Sequence, residues 1–201
     1  MTSATVVETE PLSKGERTQA RIIEAAVDRF GTNGFRATSV AAIARDAGVS
    51  AAAPFAYWPS KEALFDAAVD ADARSVIKTL LERLAEFDDD PSIWLDLVSI
   101  LLSVLGTHPL ARRVLAGQEP DSIDRLLRLP AFDELREVLT LFIAEGQASG
   151  EINPAMDPAR AAIGVESVTL AMTMAVLQLS EPLDPARTAG VAELLLAAFR
   201  V

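Results

Sequence analysis

Few side chains in this sequence can do covalent chemistry. There is one histidine, His108, and no cysteine. A thiol nucleophile, an iron–sulfur cluster and a cysteine-based zinc site are therefore excluded, and multi-histidine metal sites are impossible. A serine triad would have to recruit His108, which precedes Pro109 at a helix break and reads more simply as a capping residue. No glycine-rich phosphate loop and no motif of clustered carboxylates is present. The run Asp88-Asp89-Asp90 reads as a solvated helix terminus. The expectation is a protein that is not an enzyme and holds no metal or cofactor. Glu166 is more informative. It lies in the apolar segment GVESVTLAMTMAVLQL, where a carboxylate is costly unless paired or hydrated. It can meet a cationic ligand, pair with an arginine such as Arg112 or Arg113, or reach the helix surface. Met172 beside it offers an adaptable apolar lining. Trp94, Phe142, Glu166, Thr169, Met172 and Thr173 form the candidate small-molecule site, against the alternative of ordinary core packing.

The chain has 201 residues, half of them hydrophobic, and a net charge of −11. That length and composition fit a globular protein of one or two domains. The charge is unevenly placed. Residues 12–65 sum to +2, through Lys14, Arg17, Arg21, Arg29, Arg36, Arg45 and Lys61, whereas residues 66–201 carry −11. A mildly basic small unit joined to an acidic larger one can bring nucleic acid to the former. The first residues carry Glu8 and Glu10 and no basic cluster, unlike a secretory signal. The apolar stretches around 97–105 and 168–177 are interrupted before they reach the roughly 18–20 residues of a membrane span. A cytoplasmic protein with no membrane association is expected.

The elements follow from spacing. Residues 1–12 read as a loose tail. Ile23, Val27 and Phe30, with Ala26, recur at helical spacing until Asn33-Gly34 stops the pattern. Thr38-Ser39 starts a short helix carrying Val40, Ile43, Ala44 and Ala47, which Gly48 ends; Ser50 can cap the next. A short helix, a glycine turn and a second short helix are the sequence form of a helix-turn-helix, whose second helix enters the DNA major groove. Ser60 caps a long helix that runs toward Phe87. Helical stretches follow at about 92–106, 109–117, 121–128, 131–149, 157–180 and 184–200, separated by Gly and Pro breaks. No stretch alternates with period two. The fold is all-α, with eight or nine helices: a helix-turn-helix unit over 13–59 and a larger helical unit over 60–201. In the segment 194–199 (LLLAAF) the apolar surface nearly encircles the helix, so that helix is buried or shared with a second subunit.

Four pieces in order carry a resemblance: IIEAAVDRFGTNGF, ATSVAAIARDAGVS, the aromatic pair in FAYW, and PSKEALF. Residues 14–65 resemble the N-terminal DNA-binding domain of the TetR family of bacterial transcriptional regulators. The resemblance implies a homodimeric repressor that leaves a palindromic double-stranded DNA operator when a small-molecule effector binds. It implies a larger domain with the effector pocket and a dimer interface made by the two C-terminal helices. It places Ser50 to Trp58 in the groove, Lys61 and Tyr57 on the phosphate backbone, and Phe55 where the family has Tyr. Thr38 and Ser39 are added as phosphate donors, and Ser50, Ala51 and Ala52 as the groove-facing first turn. The departures are Ala41 at an often basic position, the run Ala51-Ala52-Ala53, and Pro54. Alanine meets only thymine methyl groups, and proline removes an early N–H while disfavouring the α conformation at Ala53. Specificity is expected to lean on Tyr57, phosphate contacts and DNA shape. A second reading follows from the same departures: a small-molecule-binding or scaffold protein of this fold that no longer reads DNA.

Overall fold

The computed structural model describes residues 13–84, 93–119, 130–179 and 184–199, and among these the regular structure is entirely helical. The expected tail 1–12 and the expected helix over 121–128 lie outside the described residues.

Helix α1 (Lys14–Ala37) opens on a capping box: the Ser13 hydroxyl accepts from Glu16 N, and the Glu16 carboxylate accepts from Ser13 N. Hydrogen bonds to the Glu16 carboxylate, first from the Ser13 hydroxyl and then from the Ser13 backbone N–H, hold Glu16 below its ordinary range. The buried stripe is Ile22, Ala25, Ala26 and Phe30. Ala26 and Phe30 are buried as the spacing expects, whereas Ile23 and Val27 are half-buried and pack against the core beside Ile22 and Ala25. Gly34 breaks the helix at φ 77°, one further turn follows, and Thr38 is extended.

Helix α2 (Val40–Asp46) is capped by the Ser39 hydroxyl, which accepts from Ala42 N. Two α1 arginines hold its far end. Arg21 donates to Ala47 O, and Arg29 makes a two-point contact with the Asp46 carboxylate. That contact keeps Asp46 below the ordinary aspartate range. The stabilisation it supplies is present above the unfolded-state value, about 3.9, and disappears as pH falls through the lower folded value. In an acid titration followed by the amide resonances of α2, Asp46→Asn should abolish this late step. An unchanged profile would mean that Asp46 is not what anchors α2.

The expected third helix is a single 3₁₀ turn, Ala53–Ala56. Pro54 lies at its start, fully buried, with no N–H to offer an α-type bond to Ser50, and its carbonyl accepts from Tyr57 N and Trp58 N. Helix α3 (Lys61–Leu84) follows, with Ser60 Oγ accepting from Ala63 N.

After α3 come α4 (Ile93–Val104), a 3₁₀ turn at Leu105–Thr107, and α5 (Pro109–Leu115). Beyond these come α6 (Pro130–Ser149), α7 (Pro158–Leu179) and α8 (Pro185–Phe199). Each of α5 to α8 begins on proline, whose missing N–H costs nothing in a first turn. By length and composition α7 could cross a membrane. Here its stripe of Ala162, Val165, Glu166, Leu170 and Thr173 is buried in protein.

One core runs through both units. Ile22, Phe30, Ile43 and Trp58 from the head, residues 13–59, join Leu64 and Phe65 of α3 and Leu101, Leu105, Leu110, Val114 and Leu170 from the rest of the body. Trp58, at the end of the expected groove segment, is buried in this core. A second core, around Leu97, Leu135, Leu139, Ile143 and Val165, fills the far end.

Candidate nucleic-acid interface

The head presents Ser39, Ser50, Ala51, Ala52, Phe55 and Tyr57 at its surface. Phe55 is 52% exposed and Tyr57 37%, so both aromatic faces are available to sugars or thymine methyls. Ser39 is the α2 cap as well as an exposed hydroxyl. The Tyr57 hydroxyl donates to Gly15 O at 3.3 Å, tying the 3₁₀ turn to the start of α1. Thr38 departs from expectation. It is 4% exposed, and its hydroxyl donates inward to Arg29 O and Gly34 O, where it stitches the end of α1 and cannot face phosphate.

Lys61 is the first residue of α3. Its ammonium lies 4.4 Å from the centroid of the Phe35 ring, within cation–π range. Phe35 is fixed by Phe65, edge-on at 5.1 Å, and by Phe30, stacked at 6.1 Å. Donors of the α3 first turn are partly spoken for. Ser60 takes Ala63 N, and the Glu62 carboxylate is lowered first by its own backbone N–H and then by the Ser60 hydroxyl. The cation of Lys61, more than the helix terminus, is what this corner offers an anion. Arg21 and Arg29 are committed to α2, while Lys14, Arg36 and Arg45 are exposed.

The head meets the body through α5, held at both ends by carboxylates. Asp72 of α3, 5% exposed, accepts from Ala111 N at 2.8 Å and from His108 Nδ1 at 2.7 Å. The expected histidine cap is thus replaced: Asp72 caps α5 from another helix, and His108 makes no side-chain cap bond. Past the other end, Glu119 accepts from Phe35 N at 3.1 Å and from Arg113 Nε and Nη2 at 3.2 Å. Between them α1 lies so close that a Cβ on Gly31 would stand 2.9 Å from Leu110 N.

Glu166 is 7% exposed and pairs with Arg136, Nε to Oε2 at 2.6 Å and Nη2 to Oε1 at 3.1 Å. Neither expected arginine is its partner: Arg113 serves Glu119, and Arg112 is exposed. Thr169 and Thr173 share its face of α7 by spacing, yet Thr173 is fully buried and its hydroxyl donates to Thr169 O. Met172 is half-buried, and Phe142 is 46% exposed on α6. The Trp94 side chain lies outside the described residues. Sequence reading missed Phe35 as the seat of Lys61, and missed Asp72, Glu119 and Arg136. All four are defined by partners distant in sequence.

Residues 22–68 match the family model for bacterial regulatory proteins of the tetR family. The chain is 32% identical over 140 residues to the HTH-type transcriptional regulatory protein RaaS of Mycobacterium tuberculosis, covering 69% of this chain and 61% of that one. It is 26% identical over 186 residues to the HTH-type transcriptional regulator UidR of Escherichia coli K12, covering 90% of each. A crystal structure of a TetR-family transcriptional regulator from Mesorhizobium loti superposes with a TM-score of 0.68 at 24% identity, covering 94% of this chain and all of that one. Residues 22–68 thus form a segment of the tetR type of bacterial regulatory protein, and the chain as a whole is similar to HTH-type transcriptional regulators in sequence and to a TetR-family regulator in fold.

Proposed function

We propose that the protein is a homodimeric repressor that binds a palindromic operator and leaves it when a small molecule binds the body. The observation that carries the DNA side of this reading is the corner formed by Lys61 on the Phe35 ring, with exposed Tyr57 and Phe55 nearby in sequence. It supplies one fixed cation and two aromatic faces. The alanines and the 3₁₀ turn supply no base-edge donor, so affinity rests on phosphate contacts and DNA shape. Ser39, Ser50, Ala51 and Ala52 complete the surface that approaches the duplex.

The dimer reading draws on α7 and α8. The outer face of α7 carries Ile163, Gly164, Ser167, Ala171, Ala175 and Leu179, all exposed, and α8 exposes Leu194, Ala197 and Ala198. Small residues beside leucines let helices approach closely, and Leu194 is 73% exposed. A second copy of the same face would bury them about a two-fold axis. Leu194→Glu should shift the protein toward monomer in sedimentation and weaken duplex binding with it. A variant that stays dimeric would place the interface elsewhere. The effector site is proposed within the body, and the Arg136–Glu166 pair makes Glu166 a structural anchor rather than a free ligand group.

The test is selection of genomic DNA fragments by the purified protein at two salt concentrations. A short palindrome with half-sites about one helical turn apart is expected, with recovery falling steeply as salt rises. A folded dimer that enriches nothing, at either salt, would favour the second reading, in which the alanine-lined 3₁₀ turn no longer reads DNA.

A further inference from the structure

A carboxylate of the body touches the residue on which the DNA-facing lysine rests. Glu119 follows α5 and is 8% exposed. Its Oε1 receives the Phe35 backbone N–H at 3.1 Å, and the guanidinium of Arg113 reaches the same oxygen from the α5 side. Phe35 is the first residue after the Gly34 break, where the chain would otherwise leave its N–H without a helical partner. The ring that this N–H positions carries Lys61 Nζ on its face. Three links therefore join the body to the cation: Glu119 to Phe35 N, the Phe35 backbone to its ring, and the ring to Lys61.

We infer that Glu119 is a positioning residue for DNA binding: by holding Phe35 it sets where the Lys61 ammonium stands for a phosphate. The inference rests on the phosphate role proposed for Lys61. The physical reason is geometric. A lysine side chain has four rotatable bonds, and a free ammonium loses that freedom when it docks. An aromatic face that already holds the ammonium removes part of that loss, but only while the ring keeps its place. The aromatic contacts with Phe30 and Phe65 fix the ring from within the head, and Glu119 fixes its backbone from the body. Glu119 need not approach DNA to affect binding. Its removal raises the net charge by one and frees Arg113, which by field alone would strengthen duplex binding, so a weakening has the opposite sign.

The experiment is a double-mutant cycle with wild type, Lys61→Ala, Glu119→Ala and the double variant, all as full-length protein. Binding to a mixed-sequence duplex is followed across a salt series, since a phosphate contact needs no particular sequence. Lys61→Ala should weaken binding about tenfold and lower the slope of log affinity against log salt by about one. Glu119→Ala should weaken binding about three- to fivefold when Lys61 is present, and not at all when it is absent. Glu119→Gln keeps an oxygen that can accept from Phe35 N and should restore most of the loss. It also serves if the alanine variant folds poorly. An equal loss from Glu119→Ala in both backgrounds, or none in either, would overturn the inference while leaving Lys61 on phosphate. A Lys61→Ala variant that changes neither affinity nor slope would instead remove the phosphate assignment on which the inference stands.

Discussion

Arg136→Ala should cost about 2–4 kcal/mol of folding stability, because it strands a carboxylate in the body. Glu166 is 7% exposed, on an α7 stripe whose other members are Ala162, Val165, Leu170 and Thr173. Arg136 meets it with two parallel hydrogen bonds and gives its remaining nitrogen to Asp133 at 2.7 Å. The geometry is the bidentate fork that only arginine makes, so Arg136→Lys should recover little. The hydrogen bond to Glu166, followed by its charge working against partial burial, raises Arg136 above its ordinary range. A raised basic group contributes its stabilisation wherever pH is below the unfolded value. From the arginine side the pair is therefore at full strength throughout the neutral range. What removal exposes is the asymmetry of buried charge: one partner alone is costly, whereas neither partner is cheap. Replacing both, as Arg136→Met with Glu166→Leu, should recover most of the loss in denaturant unfolding. If the single variant costs less than about 1 kcal/mol, water reaches Glu166 and the α6–α7 contact is looser than the distances imply. If the double variant is as weak as the single, the loss belongs to the packing of the arginine stem.

The parts of this fold that were legible in the sequence are those decided within a few residues of chain. Thr38-Ser39 starts α2, Gly34 stops α1 where a left-handed residue must stand, and proline breaks precede four body helices. The groove element was half-legible. Pro54 warned of a distorted start, but the helical period of its neighbours suggested a longer helix than the one 3₁₀ turn that forms. The buried side of α1 was read correctly at Ala26 and Phe30 and missed by one residue at Ile22. Ile22 and Ile23 are chemically alike, and only the position of α3 and α5 decides which of them points inward.

The site was less legible for the same reason. Glu166 was conspicuous because its neighbours are apolar, and its need for a partner followed from electrostatics alone. Which arginine answers it depends on α6 lying against α7, across 30 residues of chain. Asp72 finds His108 across 36 residues, and Glu119 finds Phe35 across 84. Local spacing cannot register such pairs. Thr38 shows the converse limit. A hydroxyl at a helix start can cap, donate to phosphate or fold inward, and its neighbour Ser39 took the cap, which left Thr38 to the interior.

Gly34→Ala should be the most damaging small substitution in the head, for two reasons that a second glycine separates. At φ 77° and ψ 169°, Gly34 occupies a backbone region that residues with a Cβ rarely enter, at a cost of about 1–3 kcal/mol. The added methyl would also stand 2.6 Å from Arg113 Nη2 and 2.8 Å from Glu119 Oε1. Both atoms are at the ends of flexible side chains, so they would move away rather than resist. In moving, they would release the Phe35 N–H that Glu119 holds. Gly150 has a comparable φ of 83° but open space where its Cβ would go. Gly150→Ala therefore measures backbone strain without the contact, and about 1 kcal/mol is expected. Gly34→Ala should exceed it by a further 1 kcal/mol or so, the order of one buried backbone N–H left unpaired. It should also weaken duplex binding at low salt, which Gly150→Ala should leave unchanged. Equal unfolding costs and equal DNA affinity for the two variants would mean that Arg113 and Glu119 do nothing at Gly34 beyond filling space.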